Sequence, residues 1–183
     1  MIGVLVSGEG TNLQALIDAG LPVVAVASND TKARALDRAV AAGAEAAAFP
    51  QAEYESRDAR DYELAEWLTE RGVELVVLAG YMHILTRPFL ERFEGRILNV
   101  HPSLLPAFPG AHAVEEALAA GVKWTGATVH LVDEGVDTGP IVLQEPVPVH
   151  EDDTPESLHA RIKDVEHRLL PQAVRMFLEP VAA

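Results

Sequence analysis

Short unbroken apolar runs alternate along this chain with segments whose apolar residues recur every three or four positions. The runs cover 2–6, 23–28, 46–49, 75–79 and 96–100. Runs of that length, bounded by glycine, proline or asparagine, predict buried strands of a parallel sheet. The periodic segments cover 13–19, 31–42, 56–71 and 86–93, and Gly20, Gly43 and Gly72 supply stops for the first three. Beyond residue 100 the pattern changes. A short helix is expected over 113–120, then strands over 125–132 and 141–144. Pro146 and Pro148 suit an edge strand. Thr154-Pro155 opens a last helix, with Leu158, Ile162, Val165 and Leu169 on one face. Pro171 is expected to kink that helix and Pro180 to end it. The order predicts one α/β domain over residues 1–183, a three-layer α/β/α sandwich of about seven strands. Its first half is Rossmann-like and parallel, and its second half is mixed, with an antiparallel pair.

Size and charge narrow the functions open to such a domain. The 183 residues suffice for one substantial core, and the apolar share of 49% is that of a globular protein. A formal charge of −14 without any basic cluster argues against a nucleic-acid or anionic-membrane surface. There is no cysteine, hence no disulfide, thiolate nucleophile or zinc ribbon. No apolar run reaches the ~20 residues that span a bilayer. A strand starting at Ile2 leaves no leader in front of it. A cytoplasmic protein is the expectation.

Candidate chemistry lies where strands end, the usual place for ligands in an open α/β sheet. Ser7-Gly8-Glu9-Gly10-Thr11-Asn12 joins the first strand to the first helix. Backbone N–H groups converge in such a loop and the helix dipole favours negative charge, so it suits a phosphate; a plain tight turn is its other use. A dinucleotide fingerprint would want a third glycine at Leu13, although Asp30 stands where its acid belongs. Asn99 and His101 sit two apart at the end of the fifth strand, followed by Pro102, Pro106 and Pro109. They point the same way, so an amide and an imidazole there can hold and protonate an oxyanion. The apolar stretch after Gly80 lines a flat-ring pocket or packs in the core. Asp137 alone is a turn former, and Lys163 and Glu166 alone are a surface pair.

Taken together, four motifs resemble those of the folate-dependent phosphoribosylglycinamide formyltransferases. They are Ser7-Gly-Glu-Gly-Thr-Asn-Leu-Gln14, Ala79-Gly-Tyr-Met-His-Ile-Leu85, Asn99-Val-His-Pro-Ser-Leu-Leu-Pro106 and Val132-Asp-Glu-Gly-Val-Asp-Thr-Gly-Pro140. The resemblance implies a formyltransferase fold with a phosphate-binding half over 1–100 and a folate-binding, catalytic half over 101–183, neither independent. It implies formyl transfer from 10-formyltetrahydrofolate to the amine of glycinamide ribonucleotide, without a metal, in purine synthesis. Asn99, His101 and Asp137 would be the catalytic set. Gly10, Thr11, Asn12, Lys163 and Glu166 would contact the ribonucleotide. Arg57, Met82, His83, Ile84, Leu85, Asn99, Asp133, Glu134, Gly135, Val136 and Asp137 would contact the folate. Two positions depart from the family pattern: His83 stands where arginine is expected, and Glu9 where a neutral or basic residue is. The same residues would serve a 10-formyltetrahydrofolate hydrolase, and the glycine loop alone would serve a non-catalytic nucleotide-binding module. Methionyl-tRNA formyl transfer needs a basic RNA-binding domain that this length and charge do not provide. The expected partners are small molecules, with no nucleic acid and no membrane, in a monomer or homodimer.

Overall fold

The computed structural model describes residues 1–178. Its seven strands form one sheet in the order β3-β2-β1-β4-β5-β6-β7 among the described residues. Two compact units divide the chain between Leu98 and Asn99.

The first unit holds β1 (Ile2–Val6), α1 (Thr11–Asp18), β2 (Val23–Ser28), α2 (Arg34–Ala41), β3 (Glu45–Ala48), α3 (Arg57–Glu70), β4 (Leu75–Leu78) and α4 (Arg87–Arg92). β1 pairs in parallel with β2 and β4, and β2 with β3. All five residues of β1 are buried, as a central strand covered on both faces requires. Leu13 and Leu16 of α1 and Leu64 and Leu68 of α3 are buried with it. Apolar area removed from water in this way is the main driving force for the unit.

α2 starts at Arg34, three residues later than its periodicity suggests. Asp30 explains the delay: its Oδ1 accepts the Lys32 N–H at 2.8 Å, a local turn that competes with helix. α3 starts as expected, with the Ser56 hydroxyl accepting the Ala59 N–H at 3.0 Å. Ser7 pins the strand ends together. Its hydroxyl donates to Asn29 Oδ1 and accepts the Met82 N–H at 2.8 Å, while its own N–H bonds Gly80 O at 3.1 Å.

The second unit holds the rest of β5 (Ile97–His101), then α5 (Ala113–Ala119), β6 (Trp124–Leu131), β7 (Ile141–Pro148) and α6 (Pro155–Leu178). β6 and β7 are antiparallel, with Gly126 opposite Pro146 and Trp124 opposite Pro148. β7 thus runs on through both prolines, four residues further than its apolar run, and it ends the sheet. An edge position is where missing N–H donors are tolerated. Thr154 and Ser157 cap α6 reciprocally, at 2.9 and 3.2 Å. The helix continues past Pro171, which is buried, and does not stop there. The stop expected at Pro180 lies outside the described residues.

The loop after β5 lies tightly on β6. Thr128 Oγ1 donates to Ser103 O at 2.7 Å and accepts the Leu105 N–H at 3.2 Å. Gln144 Nε2 donates to Leu105 O at 2.8 Å. A Cβ added at Gly126 would lie 2.3 Å from Glu145 O and 2.5 Å from Leu104 Cδ2. Gly126→Ala is therefore expected to cost about 1–3 kcal/mol in urea unfolding. Gly8→Ala, where a Cβ meets nothing within 4 Å, should leave unfolding nearly unchanged. Equal stability of the two variants would show that the close packing is not felt.

Candidate active site

In the second unit, β5 and β6 bring three side chains to one carboxylate. Asn99 and His101 share one side of β5, and Asp137 follows β6 in the loop to β7. Asp137 has φ 54°, a left-handed backbone that aspartate tolerates better than most residues. Its side chain is 13% exposed. Oδ2 accepts the Gly110 N–H at 2.8 Å and lies 3.3 Å from His101 Nδ1. Oδ1 lies 3.4 Å from Asn99 Nδ2 and 3.5 Å from His130 Nε2. Burial alone pushes this carboxyl up. The His130 ring, the Gly110 N–H and the positive field of His101 outweigh it and hold it below the ordinary value.

His101 is 4% exposed and its ring orientation is fixed from the far side. Nε2 lies 2.8 Å from Phe108 O, and a carbonyl only accepts, so Nε2 carries a proton. Nδ1 is then the nitrogen left to face Asp137 and any reacting group. A proton on Nδ1 as well makes the ring cationic, with the counter-charge already in place.

His130, at 2% exposure, is the member that sequence reasoning missed. Its Nδ1 donates to Leu131 O at 2.8 Å, and Nε2 lies 3.1 Å from Asn99 Nδ2. In the neutral ring Nε2 accepts from Asn99; in the charged ring it donates to Asp137. The available signal was a lone histidine near the end of an otherwise small and β-branched strand. Its partners are 31 and 7 positions away in the chain, so no local motif marks it. Asn99 also differs from expectation. Its amide nitrogen already faces His130 and Asp137, and the 3.4 Å contact to Asp137 is the weak one that it would exchange for an oxyanion.

The 133–140 loop is held by its own side chains. Asp133 Oδ1 accepts the Gly135 N–H at 3.0 Å and the Thr138 hydroxyl at 2.7 Å, so its carboxylate closes the loop. Glu134, Gly135 and Val136 are exposed. A Cβ at Gly139 would lie 1.8 Å from Leu131 O, and the Leu131 N–H bonds Pro140 O at 2.9 Å. On α6, Glu166 is buried and Lys163 half-buried.

In the first unit, Gly10 precedes α1 with φ 72°. A Cβ there would lie 2.6 Å from Ala35 Cβ and 2.9 Å from Ala35 Cα, so the loop is pressed on the start of α2. Thr11 is half-buried and Asn12 buried, and the first turn of α1 carries no acid. Glu9 turns its carboxylate to Arg34, 3.1 Å away. Arg57 is exposed at the start of α3. In the loop after β4, Met82 and Ile84 are 70% and 56% exposed, while Leu85 is buried. His83 is half-buried, with Nδ1 2.9 Å from the Nη1 of buried Arg60.

Residues 1–174 match the model of a protein family described as formyl transferase. The chain belongs to the formyl transferase family. A phosphoribosylglycinamide formyltransferase of Mycobacterium tuberculosis is a family relative 51% identical over 176 residues, 93% of this chain and 81% of that protein. The trifunctional purine biosynthetic protein adenosine-3 of Drosophila melanogaster is 44% identical over 189 residues. That match takes in 99% of this chain but spans only 14% of the Drosophila protein. Among solved structures, glycinamide ribonucleotide transformylase 1 from Symbiobacterium toebii superposes with a TM-score of 0.95 at 52% identity, over 96% of this chain and 86% of that one. Phosphoribosylglycinamide formyltransferase from Streptococcus pneumoniae gives 0.94 at 43% identity, over 97% and 98%. The seven-stranded mixed sheet is thus the family's formyltransferase fold.

The depressed carboxyl of Asp137 has a definite pH signature. Its stabilising contribution is complete above the unfolded value near ~3.9 and is lost as pH falls through the lower folded value. Urea unfolding should show the protein more stable than Asp137→Asn at pH 5. The difference should shrink below about pH 4. A difference already shrinking near pH 6 would contradict the donor geometry.

Proposed function

We propose that this chain transfers the formyl group of 10-formyltetrahydrofolate to the amine of glycinamide ribonucleotide, giving formylglycinamide ribonucleotide and tetrahydrofolate in purine biosynthesis. The observation that carries this reading is the Asp137 carboxylate with Asn99, His101 and His130 around it, in a member of the formyl transferase family. The amine nitrogen attacks the formyl carbon and a C–N bond forms. The carbonyl electron pair moves to oxygen, giving a tetrahedral oxyanion. Collapse breaks the bond to folate N10, which takes up a proton as the amine gives one away. Asn99 supplies a neutral N–H to the oxyanion. His101 supplies a charged N–H from Nδ1 and then the proton for N10. Asp137 stabilises the charged ring and orients it. The proton that the amine loses goes to His101 Nδ1 and restores the charged ring, so the protons balance and no metal is required.

Binding follows the same division. Gly10, Thr11 and Asn12 take the phosphate at the start of α1, where N–H groups and the helix dipole favour an anion. Lys163 and Glu166 contact the rest of the ribonucleotide. Met82 and Ile84 are large apolar side chains left exposed on a pinned loop, which suits a flat ring system. Leu85 supports that loop from below, and His83 and Arg57 contact the folate beside it. Asn99 and residues 133–137 complete the folate contacts, Asp133 by closing its own loop. The substrates are small molecules. The enzyme works in the cytoplasm as a monomer or homodimer, with no nucleic-acid partner; among the described residues no helix is long and apolar enough to cross a membrane.

The decisive assay follows tetrahydrofolate release with glycinamide ribonucleotide and, separately, with water alone. Release only with the ribonucleotide is expected; equal release without it would make the chain a hydrolase. Asn99→Ala and His101→Ala are each expected to lower kcat about 10²–10³-fold with KM within a few-fold, since each removes a donor that acts in the transition state. Near-normal turnover in either variant would remove the mechanism. A substrate analogue lacking the phosphate should bind far more weakly, and undiminished affinity would overturn the role of the loop before α1.

A further inference from the structure

Arg60 is fully buried on α3 beside Asp61, which is equally buried. Its Nε donates to Asp61 Oδ1 at 2.8 Å, and Nη2 lies 2.6 Å from the same oxygen. Asp61 Oδ2 accepts the Thr86 N–H at 2.7 Å, so both carboxylate oxygens are engaged. Among the described residues Nη2 makes no hydrogen bond, and Nη1 reaches out of the pair to His83 Nδ1 at 2.9 Å. A guanidinium has only donors and stays charged. The ring nitrogen facing it must therefore be the unprotonated one. The single ring proton sits on Nε2, on the opposite edge of the imidazole. The Tyr81 ring lies against His83 with centroids 5.7 Å apart, which fixes the ring plane further.

We propose that Arg60 locks His83 as a neutral imidazole whose Nε2–H is a fixed, uncharged donor to a carbonyl oxygen of the formyl donor. This rests on the folate reading of the loop after β4 and deepens it. Arg60 is a positioning residue and His83 is the contact. Burial and the Arg60 guanidinium both push His83 below the ordinary histidine range, Arg57 adds to this, and only Asp61 opposes it. Tyr81, the remaining titratable neighbour, is itself held neutral by burial, its phenol pushed up to about 12. Protonating Nδ1 would place a cation against a buried cation. The contact therefore keeps its form across the working range of pH, and it adds no net charge to the site. A charged side chain in its place would favour a carboxylate instead.

The test combines a spectroscopic readout on the whole protein with kinetics. Nitrogen-15 NMR of the histidine rings, with His83 assigned by its loss in His83→Gln, should show a neutral ring protonated on Nε2 from pH 6 to 8. A charged ring at pH 7, or a proton on Nδ1, overturns the lock. His83→Phe should raise KM for 10-formyltetrahydrofolate about three- to tenfold, the worth of one neutral hydrogen bond, with kcat held. An unchanged KM overturns the contact. Arg60→Lys keeps a buried donor and should keep both the tautomer and KM. Arg60→Met with Asp61→Asn removes the charge pair together and should free Nδ1, so that KM for the folate acquires a dependence on pH between 5 and 7. A pH-independent KM in that double variant overturns the positioning role. A locked ring in a protein without formyl transfer would overturn the functional reading and leave the tautomer standing.

Discussion

A charge inside a protein persists only where donors surround it, and the second unit is arranged around one such charge. Asp137 receives the Gly110 N–H from the loop after β5, faces Asn99 and His101 on β5 itself, and faces His130 on β6. Both histidines are fixed by a further bond of their own. Phe108 O holds His101 and Leu131 O holds His130. The Gly110 contact in turn needs the proline-rich loop to lie flat, which the absence of a side chain at Gly126 allows. Removing any one donor leaves a partly buried carboxylate less well satisfied, so the arrangement is cooperative.

The first unit follows another logic. Its parallel core is apolar and needs no polar support, and its chemistry is confined to the strand ends. There Ser7 ties three connections with one hydroxyl and one N–H. Arg60, Asp61 and His83 are the exception, a charged group placed deep below an exposed loop. Burying an ion pair costs more than it returns unless its remaining donors and acceptors are satisfied. Here Thr86 N satisfies Asp61 Oδ2 and the His83 ring accepts from Arg60 Nη1, which ties the loop after β4 to α3.

Much of this was legible in the amino-acid order. Strand and helix periods mark the elements, and the two-residue spacing of Asn99 and His101 already implies a shared side of β5. The four motifs point to the family from the amino-acid order alone. What stayed hidden depends on the third dimension. His130 belongs to the cluster through residues on other elements, and nothing adjacent in the chain announces it. Asp137 reads as a turn former and is one, at φ 54°, while also holding the charge. Asp133 reads in sequence as a ligand contact, and its Oδ1 also holds Gly135 and Thr138. Glu9 is an awkward neighbour for an anion loop in the sequence, and Arg34, 25 positions on, draws its carboxylate aside. The late start of α2 shows a local side-chain turn overriding helix periodicity.

The two prolines of β7 reach beyond this molecule. Pro146 and Pro148 pair with Gly126 and Trp124, so their ring nitrogens face away from β6. The rim of the sheet thereby loses donors at two successive outward positions. A strand from another molecule, arriving in a crowded solution, finds no continuous ladder to extend. This edge thus carries its own protection against fibre-like self-association, built from a residue type that lacks the donor.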